Sequence, residues 1–294
     1  MKGPVEIFDR TAVRRHRDRA AARIGEHDFL IQEVAQRLRE RLGDVKRAFS
    51  CALDMGGVGA EPPAGLVVRT DLSPAMVAHG SRPAIAADEE WLPFAPASFD
   101  LVTSLLTLHW VNDLPGALVQ IRRCLKPDGL FLAAMLGGET LSELRESLAQ
   151  AESAGEGGVS PRLSPTVDLQ DMGALLQRAG FALPVADLDH LTVSYPDAFA
   201  LMHDLRGMGE TNAVCERRKH FSRRATLMAA ADIYRERFAD GDGRLAATFQ
   251  IVWLTAWAPH ESQQQPLRPG AAKSRLADAL DVEEKPAGDK ARPK

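Results

Sequence analysis

The chain has 294 residues, of which 45% are hydrophobic and 26% charged, and its formal net charge is −4. These values are typical of a globular protein and exclude a fibre or a chain that is disordered throughout. The negative net charge argues against a protein that attracts nucleic acid through an overall positive charge. No apolar run reaches the ~18 residues of a membrane-spanning helix, so no transmembrane segment is expected.

Cysteine and histidine usage predicts no metal site. Cys51, Cys124 and Cys215 are too few and too scattered for a disulfide framework or a cysteine-based metal centre. The histidines also lack the spacing of metal ligands. A reduced compartment suits three free cysteines, and we expect a cytoplasmic location.

The first part of the chain has helical periodicity. Apolar residues recur at three- and four-residue steps up to Leu42, and Gly43 is a suitable helix stop, which predicts a helical lead-in over residues 1–45. Many arginines precede this run, but Asp9, Asp18 and Glu26 interrupt their charge. We therefore expect these arginines on a solvated helix face rather than on an arm that binds nucleic acid or membrane.

From Phe49 onward, short apolar runs alternate with helical stretches, which is the pattern of βαβ units. A crossover helix is predicted over 114–125, ending in a tight turn at 126–129 that contains proline and glycine. Strands are predicted near 49–54, 66–71, 84–87, 99–105 and 129–136.

The pattern loosens after Met135. A final strand up to Trp257 is apolar on both faces, so it should lie inside the sheet. The polar tail at 263–294 has no periodicity and is predicted to be disordered. Further helices are predicted near 139–152, 169–180, 196–207 and 216–239, and a strand over 182–194. The predicted organisation is a lead-in (1–45), an α/β domain (46–262) with a helical insertion at about 196–240, and the tail (263–294).

Three acids, Asp54, Asp71 and Asp88, fall at or just after predicted strand ends. An acid at the end of the second strand of a parallel sheet is placed to accept both hydrogen bonds of a ribose diol. A side chain after the third strand reaches an adenine edge. We therefore expect an adenosine-containing ligand.

The loop after Asp54 favours an adenosine that carries no phosphate. A dinucleotide needs backbone N–H groups around its pyrophosphate. Here the glycine cluster at 56–59 is followed by Glu61 and two prolines, which oppose a phosphate and remove N–H donors. S-adenosylmethionine has a positive sulfonium and no phosphate, so an acidic pocket lined by aromatic residues suits it better.

Several motifs carry a family resemblance. In order, residues 53–56, 71–76, 87–94, 98–102 and 125–129 resemble the motif series of class I S-adenosylmethionine-dependent methyltransferases. Residues 108–115, 137–141, 207–210 and 260–263 are similar to those of the methyltransferase-fold assembly factor of respiratory complex I. That family also resembles the malonyl carrier-protein methyltransferase of biotin synthesis. The resemblance covers roughly residues 5–265.

The resemblance implies an α/β, Rossmann-like fold, with a seven-stranded, mostly parallel sheet flanked by helices, and S-adenosylmethionine as cofactor. It also implies an enzyme with a protein substrate, because complex I assembly members are associated with hydroxylating an arginine on a partner subunit. In a eukaryote it implies the mitochondrial matrix. An alternative function is that of a small-molecule methyltransferase, which transfers a methyl group to an acyl or quinone-like substrate.

The resemblance also implies roles for individual residues. Asp54 and Gly56 would approach the methionine part of the cofactor, and Asp71 would hold its ribose. His109, Trp110 and Asn112 would face the substrate, without an assigned catalytic role. The complete set implied for the cofactor is Asp54, Gly56, Gly57, Gly59, Asp71, Leu72 and Met76 (the last two at the adenine ring), and Asp88 and Glu89 at the adenine amine.

One departure concerns the loop. Val58 occupies the place of the second loop glycine, and only 16 residues separate Asp54 from Asp71. A parallel crossover needs a dozen or more residues besides its strands, so the first crossover helix should be short or missing. A non-catalytic assembly factor that has lost its cofactor is therefore an alternative function.

Overall fold

The computed structural model describes residues 6–56, 58–80, 83–164 and 169–264. The described residues up to 260 pack as one unit, and 261–264 are the described part of a second. The strands are β1 (Phe49–Met55), β2 (Ala64–Asp71), β3 (Ala84–Ala86), β4 (Phe99–Leu105), β5 (Leu125–Leu136), β6 (Ala182–Tyr195) and β7 (Leu245–Trp257). The helices are α1 (Arg10–Ala21), α2 (Phe29–Gly43), α3 (Pro74–His79), α4 (Leu114–Cys124), α5 (Ser142–Glu156), α6 (Leu169–Arg178), α7 (Ala198–Met208) and α8 (Arg224–Phe238).

The strands form one seven-stranded sheet in the order β3-β2-β1-β4-β5-β7-β6. The pairs from β3 to β5 are parallel, and β7 runs antiparallel to both of its neighbours. The strand order reverses between β1 and β4, and a ligand of an open parallel sheet binds at such a switch point. The predicted fold class and the interior position of the last strand are confirmed.

Between β1 and β2, the described residues form no helix. The prediction of a short or missing first crossover helix is therefore confirmed for this part of the chain. Instead, the Arg39 side chain of α2 donates to the carbonyl of Gly59 (2.7 Å), which ties this loop to α2.

Helices cover both faces of the sheet, because strand side chains alternate between the faces. Leu101 and Leu132 pack on one face with α2, α5, α7 and α8. Val102 and Phe131 pack on the other face with α4 and α6. The sheet is thus the middle of three layers.

The predicted turn at 126–129 falls inside β5, which starts at Leu125, as an irregularity of the strand: Asp128 is left-handed (φ 61°), and the register with β4 shifts between Leu125 and Leu130. Asp128 N donates to the Ala258 carbonyl (3.1 Å), and Ala258 N donates to the Gly129 carbonyl (2.8 Å). The chain just after β7 therefore extends the sheet over these residues. No helix in the described ranges is both long and apolar enough to cross a membrane. Of the tail predicted as disordered, residues 265–294 lie outside the described part.

Candidate functional site

The turn after β4 sets two of the predicted residues at the switch point. Leu106 adopts a left-handed conformation (φ 52°), and its N–H donates to the Ala134 carbonyl (2.9 Å). A short 3₁₀ turn, Leu108–Trp110, follows and places His109 and Trp110 at this edge, each about nineteen-twentieths buried. A non-glycine residue in the left-handed region is strained, and such strain concentrates at functional sites.

Gly56 begins the loop after β1 and has a φ of +81°. A Cβ atom at this position would lie 2.4 Å from Thr107 Cγ2 and 2.6 Å from the Leu105 carbonyl oxygen. Glycine is therefore required by the packing of the chain itself, whatever ligand it approaches.

Glu210 belongs to the 207–210 motif of the sequence analysis, which assigned it no role in the site. Helix α7 ends at Met208, Gly209 is left-handed (φ +87°), and Glu210 N donates to the Leu205 carbonyl (2.9 Å), which is a Schellman cap. This cap aims the Glu210 side chain at the edge of the sheet. There, Oε2 accepts from Trp110 Nε1 (3.0 Å) and lies 3.0 Å from His109 Nε2.

The Glu210 carboxylate is ionised although its side chain is only 9% exposed. Burial alone would raise its pKa, but the charge of His109, the hydrogen bond with His109 and the charge of Arg17 together hold the pKa below its usual value. A buried carboxylate that keeps its charge is a receptor for a cation.

Two cavities meet at Glu210. The first, which we call the cofactor-side cleft, is lined by Arg17, Gly56, Leu106 and other residues. The second, the substrate-side cavity, is lined by His109 and Trp110 among others, and most of its exposed surface is apolar. Leu136 and Glu210 line both of them, so Glu210 stands at their common wall.

The substrate-side cavity continues outward into a groove of about 530 Å³, which we call the outer groove. Both are lined by Arg145, Leu163 and Ser164. Within the substrate-side cavity, His109 Nδ1 and Ser164 Oγ are buried without a hydrogen-bond partner among the described residues. Buried polar atoms are normally paired, so these two atoms suit a ligand.

Asp71 lies at the end of β2 as predicted, but its carboxylate is hydrogen-bonded to the guanidinium of Arg17. Oδ1 accepts from Arg17 Nε (3.1 Å) and from Ser73 N (2.7 Å), and Oδ2 accepts from Arg17 Nη2 (2.5 Å). Burial would lower the pKa of Arg17, but the charge of Asp71 and its hydrogen bonds raise it, so the guanidinium stays protonated.

A second arginine of α1 forms ion pairs with Asp88 and Glu89, the two acids that the resemblance implied for the adenine amine. Arg10 Nη2 donates to Asp88 Oδ1 (2.6 Å) and to Glu89 Oε2, and Arg10 Nη1 donates to the Trp110 carbonyl (3.1 Å). Burial raises the pKa of Glu89, which the charge of Arg10 opposes. The expectation that these N-terminal arginines lie on a solvated face is therefore wrong for Arg10 and Arg17, which lie two helical turns apart on one face of α1.

The N-terminal segment, by which we mean residues 6–24, also covers the residues implied for the adenine ring. Leu72 packs against the apolar cluster that contains Phe8, Val13 and Trp110. Met76 packs with Ala20, Ala21 and Ile24. The structure thus places α1 where the resemblance implied adenine.

Asn112, which the resemblance implied to face the substrate, does not line the substrate-side cavity. Its Oδ1 accepts from Ile7 N (2.8 Å) and Phe8 N (2.7 Å), and its Nδ2 donates to the Phe8 carbonyl (3.0 Å). Asn112 is therefore an anchor for the N-terminal segment.

The loop residues that the resemblance implied for the methionine part of the cofactor do not all lie at the cofactor-side cleft. Asp54 is completely buried, accepts from Thr103 Oγ1 (2.8 Å) and lines neither cavity. A Cβ on Gly59 would contact Gln32 and Ile31 of α2, and Gly59 does not line the cofactor-side cleft. Gly57 lies outside the described residues. Among the described loop residues of this set, only Gly56 lines the cofactor-side cleft.

Among the residues that the structure describes, no three His, Cys, Asp or Glu side chains gather in a way that could hold a metal ion.

Comparison with known proteins agrees with this geometry. A family model described as "Methyltransferase domain" matches residues 55–133. The arginine-hydroxylase NDUFAF5 of Danio rerio, a mitochondrial protein, is 43% identical over 288 residues, which cover 93% of this chain and 89% of that protein. The chain belongs to the NDUFAF5 family of methyltransferase-fold proteins.

The NDUFAF5 family has further relatives among methyltransferases. The malonyl-[acyl-carrier protein] O-methyltransferase of a Methylovorus species is 34% identical and covers 88% of this chain and 92% of its own. The crystal structure of the YcgJ protein from Bacillus has a TM-score of 0.53 at 17% identity, covering 76% of this chain and 99% of its own, which shows a shared fold. The resemblance given by the sequence motifs is confirmed.

Proposed function

We propose that this chain binds S-adenosylmethionine at the carboxyl edge of β1 and β2 and modifies an arginine side chain of a partner protein. By resemblance, that partner is a subunit of respiratory complex I. The observation that carries the proposal is Glu210, an ionised and nearly buried carboxylate at the wall between the cofactor-side cleft and the substrate-side cavity.

The shape of the substrate path supports a long side chain with a cationic end. The outer groove, which carries Glu6 and Glu216, leads through the substrate-side cavity to Glu210. The cavity walls are mainly apolar and include Leu141 and Phe249. The methylene groups of an arginine suit such walls, and its guanidinium forms strong charge-assisted hydrogen bonds with a carboxylate.

Two guanidinium groups of the chain also line the cavity, and both are held by other partners. Arg162 forms an ion pair with Glu152. Arg145 donates to the carbonyls of Gly138 (3.2 Å) and Thr140 (3.4 Å). Neither forms an ion pair with Glu210 among the described residues, so this carboxylate keeps oxygen lone pairs for a substrate.

The residues at the edge fit an adenosine cofactor in kind and position. A carboxylate ends β2, an acid pair follows β3, and the cofactor-side cleft lies beside Gly56. When bound, S-adenosylmethionine supplies a methyl group on a positive sulfonium. Asp71 would hold the ribose, and Glu210 would hold and orient the substrate guanidinium. His109, whose Nδ1 has no partner among the described residues, is placed to hold a proton at that atom.

Calorimetry tests the substrate part of the proposal. Blocked arginine (N-acetylarginine amide) should bind in the presence of S-adenosylmethionine, and blocked citrulline, which has the same shape without the charge, should bind at least about tenfold more weakly. Glu210→Gln should abolish this preference. Equal affinity of the two ligands for the wild-type chain would contradict the proposal. With a complex I subunit as substrate, the mass gained by the modified arginine then distinguishes a methyl group from an oxygen atom.

A second candidate, a non-catalytic assembly factor, is favoured by a specific observation. Asp71, Asp88 and Glu89 all form ion pairs with arginines of the N-terminal segment. If these pairs never open, the fold and its partner surface persist without a cofactor. Calorimetry with S-adenosylmethionine separates the two candidates, because only the enzyme binds it at millimolar concentration.

A further inference from the structure

Arg17 stands between the two acids of the site. Its guanidinium donates to both oxygens of Asp71. It also lines the cofactor-side cleft together with Glu210, and its charge helps to keep Glu210 ionised. Arg17 thus contacts the proposed ribose acceptor and lines the same cleft as Glu210.

A ribose diol and Arg17 compete for the same carboxylate. Asp71 is 3% exposed, and besides Arg17 it accepts a hydrogen bond from Ser73 N (2.7 Å). A diol that donates to both carboxylate oxygens takes the positions that the Arg17 nitrogen atoms now hold. Cofactor binding at Asp71 therefore requires that Arg17 release it.

A released Arg17 needs another anion, since a buried guanidinium without a partner is strongly unfavourable. Glu210 Oε2 already accepts from Trp110 and lies beside His109, and in the proposed function its remaining lone pairs hold the substrate guanidinium. Arg17 is the only cationic side chain among the described residues that line the cofactor-side cleft, and the other lining residues apart from Glu210 are Gly56 and apolar side chains. A ligand that brings its own carboxylate into this cleft would have only Arg17 to neutralise it.

We propose that Arg17 is a specificity residue that exchanges Asp71 for the carboxylate of the cofactor's amino-acid part when the ribose takes Asp71. The inference rests on the proposed function, because it assumes that an adenosine cofactor binds at this edge. It assigns Arg17 the selection of S-adenosyl amino acids over adenosines that lack the amino-acid part.

A pair of ligands tests this role. S-adenosylhomocysteine and methylthioadenosine share the adenosine and the thioether, and only the first carries the amino-acid part. Their dissociation constants are measured by calorimetry on the same preparations of wild type, Arg17→Gln and Arg17→Lys. Arg14→Gln is the control, since Arg14 is an exposed arginine of the same helix. The ratio of the two constants cancels any loss of folded protein.

We expect wild type and Arg14→Gln to prefer S-adenosylhomocysteine by at least about tenfold, the usual effect of a charge-assisted hydrogen bond. Arg17→Gln should lose this preference while binding methylthioadenosine as well as wild type or better, because Asp71 is then free. Arg17→Lys, which keeps the charge without the planar fork, should be intermediate.

Two results would overturn the role of Arg17. If both ligands weaken equally in Arg17→Gln, the residue is only structural. If both strengthen equally, it only blocks Asp71. Failure of the proposed function is a separate outcome, in which the wild-type chain binds neither ligand.

Discussion

The side-chain amide of Asn112 pairs with the backbone of Phe8 in both directions: Oδ1 accepts from Phe8 N, and Nδ2 donates to the Phe8 carbonyl. The residues lie 104 positions apart in the chain. This pairing, with the edge-to-face contact of the Phe8 and Trp110 rings (5.5 Å between centroids), fixes the N-terminal segment over the site. A residue assigned to substrate from sequence thus holds a part of the fold.

Asn112→Ala should loosen the N-terminal segment. The change removes three hydrogen bonds to Ile7 and Phe8, so we expect a loss of about 2 kcal/mol in the free energy of unfolding. Urea unfolding measures the loss, and trypsin cleavage at Arg14 and Arg15 should become faster. Gln36→Ala, at an exposed position of α2, is the control and should change stability by less than about 0.5 kcal/mol. Equal effects of the two variants would contradict the anchoring role.

Gly56→Ala should be strongly destabilising. The added Cβ would overlap Thr107 and the Leu105 carbonyl, and the left-handed φ of +81° disfavours alanine. Together these effects should cost about 3 kcal/mol. At Gly155, within α5, a Cβ would meet nothing within 4 Å, so Gly155→Ala should be stabilising by up to about 1 kcal/mol. Thermal unfolding of the two variants should therefore shift in opposite directions, and a shared direction would refute this account of Gly56.

Asp54 should make the fold more stable as pH falls from 7 towards 4. Burial raises the pKa of Asp54 from 3.8 to about 6, against the opposing hydrogen bond from Thr103 and the charge of Arg69. A raised carboxyl pKa means that the folded state binds the proton more tightly than the unfolded state. The resulting penalty starts as pH rises through 3.8 and is complete above about 6, where it reaches about 3 kcal/mol.

Asp54→Asn tests this pH dependence. The variant should exceed the wild type in free energy of unfolding at pH 7.5, and the difference should shrink as pH approaches 4. Denaturant melts across this range measure it. Asp44→Asn, at an exposed position after α2, should follow the wild-type profile. A constant difference between Asp54→Asn and wild type at all pH values would rule out the titration of Asp54 as its cause.

Removal of the Arg10 charge should lower the free energy of unfolding, because it leaves the buried Glu89 carboxylate without its cation. In Arg10→Met, the Glu89 carboxylate, with a side chain 6% exposed, loses its cation, and we expect a loss of about 3 kcal/mol. The double variant Arg10→Met, Glu89→Gln should recover part of it, which a double-mutant cycle measures. Arg14→Met, exposed on the same helix, should have little effect. Additive effects of the two substitutions would show that Arg10 and Glu89 do not interact.

Most of the fold could be predicted from local patterns, because strands of a parallel sheet are short apolar runs that glycine, proline and acidic residues bound. The missing first crossover helix followed from a residue count between Asp54 and Asp71. The inclusion of residues 126–129 in a strand was not predictable, because it depends on Ala258, far along the chain, which accepts from Asp128 N and donates to the Gly129 carbonyl. No local pattern contains such a partner.

For the candidate site, the sequence predicted which residue types lie at this edge of the sheet, but it did not predict their partners. Asp71, Asp88 and Glu89 follow strand ends, so their placement could be inferred. Their partners Arg10 and Arg17 lie 54 to 79 positions away in sequence, and an arginine on a helix gives no sign of its counterion. The i, i+7 spacing of the two arginines was the available signal, since it sets them on one helix face.

The closure of the N-terminal segment has a consequence for the order of assembly during synthesis. Phe8 pairs with Val214, and Asp9 pairs with Arg217 across 208 positions. A ribosome that adds 5–20 residues per second therefore releases the first partner on the order of ten seconds or more before the second. Until then, the N-terminal segment lacks its contacts with Val214 and Arg217, and the ion pairs of Arg10 and Arg17 with Asp88 and Asp71 hold it without them.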